Sequence, residues 1–521
     1  MHWADQIAQE IITSGKYKPY WVDDMKTPSG FAHIGSMLGP VIHSAVFRAL
    51  KDVGQEATLT FVFNDFDPAD EFPDILKKPL EGHQGEALKM IPSPDSSFDN
   101  LADYLTDDLK KSIEYLGFEA KYISSWDLYH QGKFDEVIKL ALDNSEKIQD
   151  IYQKISGSAK KESGWLPFQV ICEKCGKLGT TKVTAWDGEK VSYKCEPNLV
   201  TWAKGCGHEG EISPFGGTGK LPWKVDWAAH WKVIGVTVEG AGKDHASAGG
   251  SYDIAMAICK EVFNYPEPFK FPYEFILVGG KKMSSSKGVG LKAHDLVKIL
   301  PAEVARFLFI SADIGSQSNF DPFGTMAIPD LFDAYDKARE AYDNGSNEKL
   351  ARTFVLSQVG EAPEKEKGFI APRFRDVANY LSQGLNEAEI LEKMSRKKDA
   401  ILEERIKYAK VWLESYAPDE YKFEMTEEIP EGAKKLSSEQ KEYLRGVAKL
   451  FEKAVNADSL QVALYDLSKQ LKIKPSEAFN AIYMAFIGKN HGPRAGVLLT
   501  NFGKDKVLDR ITGIMKEGDK R

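Results

Sequence analysis

The stretch Lys26-Thr27-Pro28-Ser29-Gly30-Phe31-Ala32-His33-Ile34-Gly35-Ser36-Met37 constrains the fold more than any other part of this chain. An apolar run ending Tyr20-Trp21-Val22 precedes it, and apolar residues recur at three- and four-residue spacings from Leu38 to Leu50. That pattern predicts a strand, a turn at Pro28 and Gly30, and a helix opening near His33. Unpaired backbone N–H groups at such a helix start favour a phosphate. Gly30 lets the backbone come close to a ligand, and Gly35 lets one pack over the first helical turn. His33 is placed to donate a hydrogen bond to charge developing on phosphate oxygens. A plainer reading makes His33 a helix cap beside a tight turn.

A second run, Lys282-Met283-Ser284-Ser285-Ser286-Lys287-Gly288, follows an apolar strand predicted over Glu274 to Val278 and the pair Gly279-Gly280. A glycine-hinged loop with two lysines and three hydroxyls suits a mobile polyphosphate clamp. It suits a solvated polar loop equally well. Between the two runs, Ala57 to Phe63 reads as a strand. Asp65 and Asp67 sit at its carboxyl end, where open parallel sheets bind ligands; a turn with solvated carboxylates is the alternative. Phe98 to Ile155 reads as helical, with breaks at Gly117 and at Ser124-Ser125-Trp126.

Cys172-Glu-Lys-Cys175 opens a distinct module, with strands predicted at Thr180 to Thr184 and Lys190 to Lys194 around Asp187-Gly188. Cys195 and Cys206-Gly207-His208 close it. A CxxC knuckle, a hairpin and further Cys/His ligands follow zinc-ribbon logic, in which thiolates in tetrahedral array staple a piece with little core of its own. The ligands are Cys172, Cys175, Cys195 and Cys206, with His208 as the alternative to Cys206. Four ligands leave no open position, so the Zn2+ is structural. Cys259 lies apart in an apolar helical pattern and reads as an inert core residue.

After the module come Trp223, Trp227, His230 and Trp231, then a strand predicted at Val233 to Glu239 and the loop Gly240 to His245. The aromatic cluster is either core or a pocket wall. At 521 residues the chain is expected to form about three to four domains. A net charge of −9 argues against non-specific nucleic-acid binding and leaves room for one basic face. Four clustered cysteines out of five fit a metal site better than a disulfide framework. No apolar run has the length of a membrane span and the N-terminus lacks a leader pattern, so the expectation is a cytoplasmic protein.

His33-Ile34-Gly35-Ser36 and Lys282 to Ser286 together resemble the HIGH and KMSKS signatures of the class I aminoacyl-tRNA synthetases. They stand in the order of that family, on either side of a large insertion. Ser36 departs at the fourth position of the first signature, and Ser285 replaces the middle lysine of the second. With Thr27-Pro28-Ser29-Gly30 and Gly242-Lys243-Asp244-His245, the chain looks most similar to the class I lysyl-tRNA synthetases. It departs from their pattern at Met25, at Pro68-Ala-Asp70-Glu71 and at Ile314 to Asn319.

The resemblance implies an α/β fold: a Rossmann-like parallel-sheet catalytic domain with an inserted connective domain carrying the zinc ribbon, then an all-helical anticodon-binding region. The expected boundaries are 1–97 and 221–280 for the two catalytic halves, and 98–220 for the insertion with its ribbon at 165–215. The KMSKS and stem-contact region is expected at 281–328, and the helical region at 329–521. The resemblance implies activation of L-lysine by ATP with Mg2+ and transfer to the 3′ end of tRNA(Lys), with no obligatory protein partner. His33, Gly35, Lys282, Ser284 and Ser286 are then the catalytic residues. Thr27, Pro28, Ser29, Gly30, Ser36, Gly242, Lys243, Asp244, Met283 and Ser285 are the further ATP contacts. Thr27, Trp223, His245 and Tyr273 lie near the amino acid. A lysine ammonium taken out of water needs a carboxylate, for which Glu239, Asp226 and Asp65 are the candidates. The alternatives are a class I synthetase for another amino acid, an adenylating paralogue that does not charge tRNA, and a non-catalytic RNA-binding protein.

Overall fold

His2 starts the first helix, α1 (Trp3–Ser14): its Nδ1 accepts from the Ala4 amide at 3.1 Å, and Gly15 ends it with φ at 66°. The computed structural model describes the whole chain except residues 158–163, 284–290, 422, 424, 452–455 and 519–521. Ser284, Ser285 and Ser286 lie outside the described residues. The described chain forms two units, residues 1–321 with 337–369 and residues 322–336 with 370–521.

In the first unit, strand β1 (Tyr20–Lys26) leads through the Pro28–Gly30 turn into helix α2 (Ile34–Asp52), as the sequence predicts. Helix α2 is buried along most of its length. Strand β2 (Ala57–Phe63) pairs parallel with β1, and β3 (Lys121–Ser124) pairs parallel with β2. The sequence reading placed β3 inside the helical insertion. It is four residues long and none of them is fully buried, so it carries no apolar signal of its own.

The insertion then contributes β4 (Gln169–Val170), the hairpin β5 (Thr181–Trp186) and β6 (Val191–Cys195), β7 (Glu209–Ile212) and β8 (Gly219–Lys220). The expected hairpin is present and antiparallel, and β7 extends it to three strands. The chain returns to the parallel sheet with β9 (Val238–Gly242) and β10 (Phe269–Tyr273), giving the order β10-β9-β1-β2-β3.

Two expectations are corrected here. Trp223–Ile234 is a helix ended by Gly235 with φ at 93°, so the strand predicted from Val233 begins only at Val238. Indoles four residues apart line one helical face, which outweighs the β propensity of Val233 and Ile234. The strand predicted over Glu274 to Val278 shrinks to Ile276–Leu277, which pairs outside the main sheet with Ser318–Asn319. The sheet strand is β10 instead. Pro272 hides it in the sequence, yet an edge strand accommodates a proline.

The chain leaves β1 toward β2 and β3 on one side and comes back as β9 and β10 on the other. The carboxyl ends of β1 and β9 therefore flank a topological switch point, where open α/β sheets bind ligands. His43 ties α2 across it. Its Nδ1 lies 2.7 Å from the Gly39 carbonyl and its Nε2 accepts from the Gly240 amide at 2.8 Å. Nδ1 must therefore carry the proton.

The second unit is helical. Its core packs Tyr443, Leu444, Leu464, Ile482, Phe486 and Leu498. Capping boxes at Asn386 and Asn456 start two of its helices. The helix Ala327–Asn344 begins near the expected boundary at 329, whereas residues 337–369 group with the first unit. No helix among the described residues is long and apolar enough to cross a membrane.

Candidate active site

Two cavities open at the switch point. The larger holds about 690 Å³ and is lined by Thr27, Ser29, Asp67, Trp223, Trp227 and Glu239, among others. The smaller holds about 280 Å³ and is lined by His33, Gly35, Ser36, Phe275, Lys282 and Met283, among others. Asp24, Met25, Lys26, Gly242, His245 and Tyr273 line both and so form a shared neck.

The two far-apart sequence runs meet in the smaller cavity. The Ile34 amide donates to the Leu291 carbonyl at 2.9 Å and the Ala293 amide to the Ala32 carbonyl at 2.9 Å. The chain just after the Lys282 run is thereby stitched to the start of α2. Lys282 pairs with Asp244 and stands over the Phe275 ring at 4.2 Å. Lys243 pairs with Glu274 at 2.7 Å, and neither Lys243 nor Asp244 is in the lining of the two cavities. Pro28 and Gly30 are buried in the turn beneath.

His33 caps α2 without a side-chain cap bond, and its Nδ1 is buried without a partner. Burial, and then the Lys26 charge, hold the imidazole down at about 4, so it is neutral near pH 7. A neutral ring with an unspent nitrogen is fitted to donate to an anionic oxygen. A Cβ on Gly35 would sit 3.0 Å from that ring and 3.2 Å from Met283 Cε, so only glycine leaves the space open. The Ser36 hydroxyl is likewise buried and unpartnered. The backbone is less free than expected. The Ile34 amide serves Leu291, and the Ser36 amide serves the His33 carbonyl at 2.8 Å. The imidazole is left as the prominent donor.

The larger cavity is acidic and aromatic. Glu239 accepts from Trp227 Nε1 at 3.0 Å and from Trp231 Nε1. Burial raises its carboxyl well above the usual range, and Asp23 adds to the rise while the two indoles oppose it. Trp223 stacks on Trp227 at 4.8 Å, and His245 meets both edge-on at 5.2 and 5.9 Å. The aromatic cluster is thus divided: Trp223 and Trp227 face the cavity, and Trp231 is core.

Asp65 and Asp226 line neither of these two cavities. Asp65 accepts from Ser124 Oγ at 2.6 Å and from the Trp126 amide at 2.8 Å, fixing the start of the next helix. Asp226 accepts from the Tyr129 hydroxyl at 2.5 Å and pairs with Lys220 at 3.0 Å.

Sequence reading missed three groups. Asp24 reaches the neck because residue 39 is glycine: a Cβ there would lie 2.6 Å from Asp24 Oδ2 and 3.1 Å from the Tyr273 hydroxyl. Burial raises the Asp24 carboxyl, and His43 pulls it back. Lys26 lies two residues further along the same face of β1. Lys220, delivered by β8, is fully buried with its ammonium 2.5 Å from Asp67 and 3.1 Å from Asn64 Oδ1. Asp67 in turn takes the Thr27 hydroxyl at 2.7 Å. The insertion thus reaches through Lys220 to a residue of the Thr27–Gly30 turn. The available signal was position: Asp24 and Lys26 close a strand that runs into the turn.

Residues 1–360 match the family model described as tRNA synthetases class I (K). The chain belongs to that family. Residues 377–515 match the model described as an anticodon binding domain. A lysine–tRNA ligase of Archaeoglobus fulgidus is 34% identical, over 98% of this chain and 99% of the relative. The lysine–tRNA ligase of Methanocaldococcus jannaschii is also 34% identical over the same shares, and that of Methanosphaera stadtmanae 32%.

The synthetase chain also assembles its four clustered cysteines. The sulfurs of Cys172, Cys175, Cys195 and Cys206 all lie within 4.8 Å of one another, and the Cys172–Cys206 and Cys175–Cys195 pairs are 3.7 Å apart. A tetrahedral ion with metal–sulfur bonds of about 2.3 Å spaces its ligands about 3.8 Å apart. The donor set fits. Cys206 is the fourth member of the cluster, and His208 is not among the grouped ligand atoms. The module is also bonded to the loop beyond β2, through the Leu178 and Gly179 amides to the Gly85 carbonyl at 2.6 and 2.9 Å.

Proposed function

We propose that this chain is a lysine–tRNA ligase that takes L-lysine in the larger cavity and ATP, with Mg2+, in the smaller one. The observation that carries this reading is the shared neck. It joins a pocket with buried carboxylates and indoles to one with an unpartnered imidazole and lysines. The substrate's ε-ammonium lies against Glu239, whose two oxygens each keep a lone pair free beyond the indole bonds. Its stem runs along Trp227 and His245, and its α-ammonium meets Asp24 at the neck. The α-carboxylate is then directed toward the ATP α-phosphate.

A carboxylate oxygen bonds to the α-phosphorus as the bond to the β-phosphate breaks, and pyrophosphate leaves with the electron pair. The 2′-hydroxyl of the tRNA terminal adenosine then attacks the acyl carbon and AMP departs. Neither step needs an enzyme nucleophile. Rate comes from positioning and from stabilised phosphate charge at His33, Ser36 and Lys282. The carrier is tRNA(Lys), read by the helical region, and the setting is the cytoplasm, where tRNA is charged.

ATP–pyrophosphate exchange across the twenty amino acids, with and without tRNA, tests this reading. Lysine alone is expected to drive exchange, and to require tRNA, as the resemblance to the related glutamyl enzymes implies. Exchange driven by arginine or glutamate but not lysine overturns it. The cysteine cluster holds zinc in this account, as a staple. Atomic absorption on protein purified without chelator is expected to find about one zinc per chain. Protein without metal contradicts the assignment.

A further inference from the structure

Side chains alternate along a strand, so Asp24 and Lys26 leave β1 on the same face. Both line the larger and the smaller cavity. If the two cavities take lysine and ATP, as proposed above, the carboxylate and the α-phosphate meet at the neck between them. Lys26 therefore stands at the reacting centre.

Among the described residues two lysines line the smaller cavity, and they differ in one respect. Lys282 is neutralised by Asp244. The Lys26 ammonium has neither an ion pair nor a side-chain hydrogen bond among the described residues, only the more distant charge of Asp24. It is partly buried, and that burial pushes its titration below the ordinary lysine value. Its charge is felt at His33, whose Nδ1 is also without a partner in this wall. A cation removed from water without a partner is unfavourable unless a bound anion completes it. Here that ammonium borders one small cavity together with the neutral, unpartnered imidazole of His33.

We propose that Lys26 is a catalytic residue that holds a non-bridging oxygen of the ATP α-phosphate and stabilises the charge on it as the acyl–phosphate bond forms. Lys26 stays protonated throughout. The electron pair of the cleaved bond leaves on pyrophosphate, and no proton passes through the ammonium. A point charge suits this position because the negative charge is spread over several oxygens in the transition state.

Lys26→Met and Lys26→Arg test the proposal in the full chain, by lysine-dependent exchange with tRNA present and by calorimetric titration with ATP and Mg2+. Lys26→Met is expected to lower kcat about 10²-fold and to weaken ATP binding, with the lysine KM unchanged and the melting temperature unchanged or raised. Lys26→Arg is expected to recover part of both. Methionine keeps the stem and removes only the unpaired charge, so a structural role predicts a fall in melting temperature that this role does not. Wild-type kcat and ATP affinity in Lys26→Met overturn the proposal, as does a loss that arginine fails to lessen. Should the native enzyme show no exchange with lysine while Lys26→Met still weakens ATP binding, the phosphate contact stands and the substrate reading fails.

Discussion

Replacing His33 with alanine is expected to lower the rate of lysyl-adenylate formation by about 10²- to 10³-fold. The lysine KM and the melting temperature should not move. The imidazole makes no cap bond to α2 and its Nδ1 has no partner in the protein, so folding spends nothing on it. Its removal leaves no orphaned group behind. What is lost is a donor poised for charge that appears only as the phosphorus is attacked. Because the ring is held neutral, its titration lies at about 4 and the rate should show no inflection from it between pH 6 and 8. Single-turnover adenylate formation beside thermal melting separates the outcomes. A proportionate loss of both rate and melting temperature would mean that His33 is only structural.

The second large effect falls on the amino acid. Glu239→Gln is expected to lower kcat/KM for lysine by about 10²- to 10³-fold, the order expected when one partner of a buried charged pair is removed. The ATP affinity should hold. Glutamine also turns an N–H toward one of the two indoles, so one of the bonds from Trp227 and Trp231 is lost as well. The melting temperature falls modestly in consequence.

The same residue gives a pH signature. Its carboxyl is raised by burial in the free enzyme, and an arriving ammonium favours the ionised form. Lysine binding therefore releases a proton and weakens as the pH falls through the raised value. Calorimetry in buffers of different ionisation heat measures that release directly. Binding of lysine with no linked proton, unchanged in Glu239→Gln, would place the ammonium elsewhere.

The parts of this fold that were legible in the sequence are those whose signal is local. The strand–turn–helix around Pro28 and Gly30, the strand Ala57–Phe63 and the cysteine hairpin each announce themselves by period, turn residue or spacing. Edge strands did not. Lys121–Ser124 is short and half-exposed, and Phe269–Tyr273 carries a proline and a lysine, so neither has the apolar run of a central strand.

Within the site, residue type was legible and direction was not. Asp65 and Asp67 end the same strand two residues apart, yet Asp65 turns to Ser124 and Trp126 while Asp67 lines the cavity and holds Thr27 and Lys220. Only the neighbouring elements decide which way each carboxylate goes. Asp24 was hidden for a related reason. Its access to the neck depends on the absence of a side chain at Gly39, fifteen residues along on another element. Lys220 arrives from the far end of the insertion, and no spacing rule pairs it with Asp67 or Asp226.

On this reading one continuous space takes lysine at its acidic end and the nucleotide at its imidazole end. A crystal structure with a non-hydrolysable lysyl-adenylate analogue tests it most directly. The ε-ammonium is expected within hydrogen-bond distance of Glu239, the α-ammonium at Asp24, and the phosphate mimic between His33 and Lys26. An analogue bound with its ammonium away from Glu239, or with its adenosine in the larger cavity, would contradict it.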